Sequence, residues 1–580
     1  MSQQQEKKQE SFNNNLILTA SINPCVHVAG AYNFIQLATQ MGYKCKFLGP
    51  ATSFIKIIKN IKKYEPEIVG LSYRLSPKTL VSPLKKFIKK YRKLKNKPKR
   101  IFFAGTPEVI NIIKELRFFD TYFVGGESKY DIISILKNQS NKTVERKNVN
   151  FDLIETIKWK KPFPILRAHF GLPSLRETVL GIEKIANAKV LDIISIAPDQ
   201  NTQRNYFHPE DISEEYDGAG GVPLRCKEDF IKIHKARLRE NYPLLRIYAG
   251  TRDFIELAKL YNETIKNAWA AIPIFWFNQM DSRGPLNLKN SIKQHLKTIK
   301  WHGKHNIPVE INDSHHWSLR DAPDAIAVAD MYLCGIIAKN LGVKDFIAQY
   351  MFNTPPTLSF EMDLAKMLAK NELLQTLIDD SFNVIKQVRT GLASFPIDLD
   401  KAKGQLASAT LIQLSIKPDI VHVVSFSEGK HTATAEDVIE SCKIVDQVIN
   451  KIYSSNINLV DERVLARKNE LITQAKWIIK QIPRLAESTS ESKNPWINPN
   501  ILTRLVEYGI FDAPHLQNNK YARGEITTKI IDGACYSWDS LLKIKLNERE
   551  RIEERFEKYS DYLLIKDKVN LKKSLKEMIQ

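Results

Sequence analysis

The segment Cys25-Val26-His27-Val28-Ala29-Gly30 follows a short apolar run, Leu16 to Ser21, and leads straight into a helical pattern. An imidazole at such a tip stands beyond the strand and can ligate a metal. The glycine lets the helix begin close to whatever lies there. Small residues end three further apolar runs: Ser72 in Gly70-Leu71-Ser72-Tyr73, the pair Ala104-Gly105, and the pair Gly125-Gly126. Together they clear a slot that a planar ligand or its tail can enter. A second group of histidines, His315 and His316, follows Asp313 after the run Val309 to Asn312, with His302 and His305 upstream. The spacing His302-x-x-His305 would suit zinc on a helix face. That pair falls before its strand, however, and His315 and His316 fall after theirs. His315 and His316 are therefore read as pocket-lining residues that meet substrate or cofactor, and no zinc site is expected. The cysteines, at 25, 45, 226, 334, 442 and 535, form no C-x-x-C pair, which argues against a zinc ribbon, an iron-sulfur cluster or a disulfide framework.

These residues need elements to position them. After a polar arm over 1–14, the runs Leu16 to Ser21, Lys44 to Leu48, Ile68 to Ser72, Arg100 to Ala104 and Thr121 to Val124 read as short buried strands separated by 3.6-period segments. Residues 15–138 are expected to form a doubly wound, flavodoxin-like domain whose ligand lies beyond the carboxyl ends of the strands. A polar stretch, Asn138 to Asn150, marks a linker, taken as 139–158. Eight further candidate strands follow at Pro164 to Ala168, Val190 to Ile196, Leu244 to Tyr248, Ile272 to Phe277, Val309 to Asn312, Phe346 to Tyr350, Asn383 to Val388 and Ile420 to Ser425. Eight strands with intervening helices predict a TIM-type β/α barrel over 159–456, with its active site at the carboxyl ends of the strands. Residues 457–580 read as a helical extension with a loop at Ser488 to Pro499.

The chain has 580 residues, 43% hydrophobic and 26% charged, which excludes a wholly disordered or collagen-like chain. Its most apolar run, Ala268 to Phe277, contains Pro273 and falls far short of the ~20 residues that span a bilayer, so no membrane partner is expected. The first residues lack the apolar core of a secretory signal, and a cytoplasmic location is expected. The net charge of +21 raises the question of nucleic acid. The charge is dispersed, and Phe87 and Tyr91, four apart inside the basic segment Lys85 to Arg100, read as a packed helix face. No nucleic-acid partner is expected.

The first-half constellation resembles the cobalamin-binding domain of adenosylcobalamin mutases and methionine synthase, over about Leu16 to Lys137. That family carries D-x-H-x-x-G, in which the histidine displaces the cofactor's benzimidazole and coordinates cobalt from below. The benzimidazole tail enters a slot lined by a serine-containing loop and a glycine pair. The resemblance implies His27 as cobalt ligand, with Gly30, Ser72, Gly105 and Gly125 as cofactor-binding residues. Cys25 takes the place of the aspartate that fixes the imidazole tautomer, and a thiol is a weaker partner.

The second half resembles the catalytic subunit of glutamate mutase (methylaspartate mutase). Local agreement runs in the same order through Leu166-Arg167-Ala168, Ile194 to Tyr206, Ala249-Gly250-Thr251, Gly342-Val343-Lys344, Phe395-Pro396, Ser427-Glu428-Gly429, Gly509 to Asp512 and Lys520-Tyr521-x-x-Gly524. In that family the two parts are separate subunits, whereas here the cobalamin domain is joined in front. The resemblance implies adenosylcobalamin as cofactor and a barrel that excludes water and oxygen around substrate. It implies Arg167 as a carboxylate clamp and Glu428 as the contact to the adenosyl ribose. The family's other two clamping arginines fall at Gln203, beside Arg204, and at Tyr248. A lysine expected four residues before Glu428 is Val424.

The resulting expectation is a radical carbon-skeleton mutase for a small carboxylic or amino acid other than glutamate. Arg167 and Glu428 are its catalytic residues, Arg167, Arg204, Tyr248, His315 and His316 bind substrate, and a homodimer is a possible assembly. A corrinoid-dependent methyltransferase and a noncatalytic cobalamin-binding protein are the alternatives. The barrel resemblance, and the lack of a four-helix segment directly before residue 15, favour the mutase.

Overall fold

Adjacent residues of the first five strands divide between two cores. Leu18, Val69 and Phe103 join one buried cluster, and their neighbours Ile17, Ile68 and Phe102 join another. That is the signature of a sheet covered on both faces. The strands are β1 (Leu16–Ser21), β2 (Lys44–Phe47), β3 (Ile68–Tyr73), β4 (Arg100–Gly105) and β5 (Thr121–Phe123). They pair in parallel in the order β2-β1-β3-β4-β5, which is flavodoxin-like. Helices Phe54–Tyr64, Pro77–Arg92 and Pro107–Lys114 cover the first core, and Ala29–Gln40 and Lys129–Leu136 the second. Phe87 and Tyr91 are buried in the first core, with ring centroids 5.9 Å apart.

This computed structural model describes residues 15–138, 152–453, 458–487 and 494–557. Most of the expected linker, and the first half of the expected loop at Ser488 to Pro499, lie outside the described residues. The chain divides into two compact units, Met1–Glu145 with Tyr453–Asn456, and Arg146–Ile452 with Ile457–Gln580.

In the second unit eight parallel strands close into a barrel: β6 (Ile165–Phe170), β7 (Ile193–Ile196), β8 (Leu244–Tyr248), β9 (Ala270–Ala271), β10 (Val309–Glu310), β11 (Asp345–Phe352), β12 (Asn383–Thr390) and β13 (Ile420–Val423). Closure comes from β13 pairing with β6, Ile420 opposite Ile165. One expected strand is displaced. The ladder takes Ala270–Ala271, and Ile272 to Phe277 is a buried loop. Pro273 has no N–H to give a ladder. The next two backbone N–H groups, of Ile274 and Phe275, donate instead to the Asp313 carboxylate. Burial pushes the Asp313 pKa up to about 7 even against those two bonds.

The expected all-helical extension is corrected as well. Helices Glu462–Glu487 and Pro499–Glu507 are present, but an antiparallel sheet of β14 (Thr528–Ile531), β15 (Ala534–Asp539) and β16 (Ile544–Lys545) follows them. The β14–β15 turn is Asp532-Gly533, both with positive φ, as a two-residue hairpin turn demands. The extension is tied to the barrel through buried charge: Arg467 Nη2 donates to Asp324 Oδ2 at 3.0 Å, and Lys366 lies 3.3 Å from Asp324 Oδ1 and 3.2 Å from Asp363.

Candidate functional site

Residues two apart on a strand share a face, so the barrel interior is built in layers. The layer at the amino ends is apolar: Ile165, Ile193, Leu244, Trp269, Ile347, Ile385 and Ile420 pack with Leu153 and Ile157 of helix Leu153–Lys160. Two residues further along, the same strands carry Arg167, Ser195, Arg246, Gln349, Gln387 and His422, all buried, and β10 adds Glu310. Another two residues on come His169, Tyr248 and Arg389. A polar, cationic chamber thus sits on an apolar floor, toward the carboxyl ends of the strands.

Arg167 is 1% exposed and is engaged on every nitrogen: Nε donates to Ser195 Oγ at 2.7 Å, Nη1 to Gln387 Oε1 at 2.8 Å and Nη2 to His169 Nε2 at 2.9 Å. Its carboxylate neighbour is Glu310, 3.9 Å away. Burial, with Arg246 close by, lowers the Arg167 pKa to about 9. Arg246 shares the same Glu310 oxygen at 3.4 Å and lies over the Tyr248 ring at 4.5 Å, while Trp269 Nε1 donates to that oxygen at 2.8 Å. Burial works to raise the Glu310 pKa, but Arg246 and then Arg167 outweigh it and hold the carboxyl below its ordinary value.

Arginine has no acceptor, and this orients the whole network. His169 Nε2, facing Arg167, must carry a lone pair, so the Tyr248 hydroxyl 3.0 Å away donates to it as well. Gln387 turns its oxygen to Arg167 and its Nε2 to Gln349 Oε1 at 3.1 Å, and Gln349 Nε2 then donates to His315 Nδ1 at 3.0 Å. His315 therefore carries its proton on Nε2. Burial drives the pKa values of His169, His315, His316 and His422 well below the ordinary histidine value, with nearby arginines adding to the shift. The chamber's histidines are neutral hydrogen-bonding groups, and its positive charge resides on arginine.

Glu428 sits on the turn Phe426–Gly429 after β13. Burial raises its pKa against the opposing pull of Arg389. Arg204, on helix Gln200–Asn205, is partly exposed and makes no hydrogen bond or ion pair among the described residues, so it stands outside the Arg167 network. His302 and His305 are used locally, their Nδ1 atoms 2.8 and 2.7 Å from the carbonyls of Thr298 and Trp301. Asp512 accepts N–H bonds from Ala513, Gly524, Glu525 and Ile526, so the family-like segments around it act as scaffold.

In the first unit His27 is exposed at the tip beyond β1, and Cys25 is fully buried beneath it. Cys25 Sγ is 3.6 Å from His27 Nδ1 and accepts the Arg74 N–H at 3.4 Å. With Nδ1–H donating to sulfur, Nε2 faces outward with a lone pair. Ser21 Oγ bridges the His27 carbonyl and Ser72 Oγ, both at 2.8 Å, so Ser72 braces the tip from the neighbouring strand. Side chains at Gly30, Gly125 and Gly126 would meet nothing within 4 Å, which leaves open space at the sheet edge. Gly105 has a packing reason of its own, since a Cβ there would lie 2.8 Å from the Tyr73 carbonyl. Val26, Tyr32, Ile55 and Val124, all in segments that follow strand carboxyl ends, are exposed large hydrophobic residues. An exposed imidazole with a free ring nitrogen, an open glycine edge and exposed apolar side chains are features that a large planar metal macrocycle could use. If Cys25 orients that imidazole, Cys25→Asp should tighten cobalamin binding about 10-fold by giving Nδ1–H a carboxylate partner. A spectroscopic titration checks this, and unchanged affinity would show that the thiol has no such role.

The fold and chamber define an α/β protein with a barrel active-site architecture. The family model described as methylaspartate mutase E chain matches residues 242–558, more than half of the sequence. The chain belongs to that family. No curated protein matches it significantly. Among solved structures, a cobalamin-binding protein from Desulfitobacterium hafniense DCB-2 is 22% identical, with 21% of this chain and 58% of that one covered, at a TM-score of 0.18. A type I 3-dehydroquinate dehydratase from Clostridium difficile is 11% identical, with 51% and 94% covered and a TM-score of 0.22. A radical S-adenosylmethionine methyltransferase from Kitasatospora setae is 10% identical, with 68% and 76% covered and a TM-score of 0.18.

Sequence reasoning missed Arg246, Glu310 and Arg389. The signal for Arg246 and Arg389 was strand alternation. Arg246 lies two residues before Tyr248 on one strand, and Arg389 two after Gln387 on another, so each faces the interior with its partner.

Proposed function

We propose that the chain is an adenosylcobalamin-dependent carbon-skeleton mutase that acts by a radical mechanism on a small carboxylic or amino acid other than glutamate. The observation that carries this reading is the arginine-bearing layer inside the barrel of a chain from the mutase E family. A chamber whose buried guanidinium groups outnumber its carboxylates favours an anion. Adenosylcobalamin, when bound, supplies hydrogen-atom abstraction through cleavage of its cobalt–carbon bond. His27 would hold its cobalt, with Gly30, Ser72, Gly105 and Gly125 along the slot for its tail, and Glu428 would hold the adenosyl ribose. Arg167, Tyr248, His315 and His316 would meet the substrate, with Arg204 as a further contact, and the His315 Nε2–H is a donor aimed by the Arg167-Gln387-Gln349 chain.

Glutamate is disfavoured because Gln203 and Tyr248 stand where the family places two further carboxylate-binding arginines, and Arg246 is already shared with Glu310. The test is anaerobic addition of adenosylcobalamin, then a screen of small carboxylic and amino acids by paramagnetic resonance. A substrate-dependent radical signal is expected with at least one small acid, and glutamate should turn over at least about 100-fold more slowly than the best acid, since an unpaired buried carboxylate costs several kcal/mol. Efficient conversion of glutamate to 3-methylaspartate would overturn the substrate assignment. Methyl transfer from methylcobalamin without any radical would overturn the mutase.

A further inference from the structure

Of the three described arginines on the barrel strands, Arg167, Arg246 and Arg389, the last has both terminal nitrogens free. Arg167 is saturated, and Arg246 is fully buried against Glu310 and the rings of Tyr248 and Trp269. Arg389 is partly exposed, near the end of β12 and one layer closer to the mouth than Gln387. Its Nε donates to the Thr390 carbonyl at 3.4 Å. Its two Nη groups make no hydrogen bond, and no carboxylate lies within ion-pair distance of it, among the described residues. Its charge nonetheless reaches Tyr248, Glu428, His169, His315, His316 and His422, the groups that surround the chamber. A guanidinium near the carboxyl end of a barrel strand with both terminal nitrogens unspent matches a carboxylate bidentately.

We infer that Arg389 is the carboxylate anchor that sets substrate specificity in this chain, gripping one carboxylate of a small acid through Nη1 and Nη2, with the neutral His169–Tyr248 pair beside it. Arg167 then acts as a positioning residue that fixes the His169 and His315 tautomers. One free fork favours an acid with a single carboxylate in the chamber over a diacid. The inference rests on the barrel being the substrate chamber, and adds to the proposed function which residue reads the substrate.

Its test needs no cofactor. The full chain is titrated calorimetrically with propionate, butyrate, succinate and glutarate, and with butyramide as the neutral counterpart of butyrate. Butyrate or propionate should bind more tightly than the diacids, and butyramide should bind weakly. Arg389→Gln should weaken the best carboxylate at least about 30-fold, and Arg389→Lys, which keeps the charge and loses the planar fork, about 10-fold. Arg389→Lys also keeps the inference testable if the glutamine variant does not fold. The inference fails if no carboxylate binds, if a diacid binds best, or if both variants bind the best carboxylate within about threefold of the parent. Arg389-dependent binding without any radical on adding adenosylcobalamin would sink the mutase and leave the anchor standing. A substrate radical that survives intact in both variants would do the reverse.

Discussion

Replacing Glu310 by glutamine should destabilise the barrel by roughly 3–5 kcal/mol, the cost of stripping a buried charge of its counterion. Arg167 and Arg246 both lean on the same Glu310 oxygen, at 3.9 and 3.4 Å, and all three side chains are essentially inaccessible to water. The amide can still accept from Trp269, so the loss isolates charge from hydrogen bonding. Because the folded-state pKa of Glu310 is held below its ordinary 4.5, its stabilisation is full above about that pH and is lost as the pH falls through the folded value. The gap between parent and variant in denaturant unfolding should therefore be constant near neutrality and close in acid. Adding Arg246→Met to Glu310→Gln should recover much of the loss, since it removes one of the two uncompensated cations. A single-variant loss under about 1 kcal/mol would mean that the two guanidiniums do not depend on this carboxylate.

His27→Ala should weaken cobalamin binding at least about 100-fold while leaving the melting temperature of the cofactor-free protein unchanged. The first half follows from ligation: losing the metal ligand itself should cost at least as much as losing the group that orients one. The second follows from position, because the imidazole is exposed and, among the described residues, its side-chain hydrogen-bond partner is the Cys25 thiol at 3.6 Å. Paramagnetic resonance of the cobalt(II) form, with labelled histidine, should show imidazole nitrogen coupling in the parent and none in the variant. Equal affinity and an unchanged spectrum would remove His27 from cobalt.

Most of the elements are legible in the amino-acid sequence because their signal is local. Alternating runs such as Leu16 to Ser21 and Leu244 to Tyr248 are strands with the expected limits. The Asp532-Gly533 turn is equally local, a hairpin signal between two apolar runs, but the charged sequence around it masks the short strands it joins. The displaced strand at Ala270–Ala271 is of a different kind. Nothing within Ile272 to Phe277 except Pro273 opposes a strand, and what takes its backbone donors is Asp313, about forty residues away and just beyond the neighbouring strand β10.

The same division runs through the site. By itself the sequence determined the parallel strand-helix alternation, the eight-stranded count, the histidine tip at His27 with glycine behind it, and Tyr248 and Glu428 as barrel-end residues, since each depends on type and spacing along one segment; Arg167, expected at a strand end, lies instead in the middle of β6 and is fully buried. Only the tertiary structure decided that Arg167 is spent on Ser195, Gln387 and His169, that Arg246 and Glu310 neutralise one another in the same layer, and that Arg389 is left with a free fork. A strand's periodicity says which face a side chain takes, but not which strand faces it across a closed barrel. Glu310 meets Arg167 across 143 positions of sequence and Gln387 meets it across 220. Hydrogen-bond saturation and charge pairing at such separations arise only when the barrel closes, and they set which arginine remains available to a ligand.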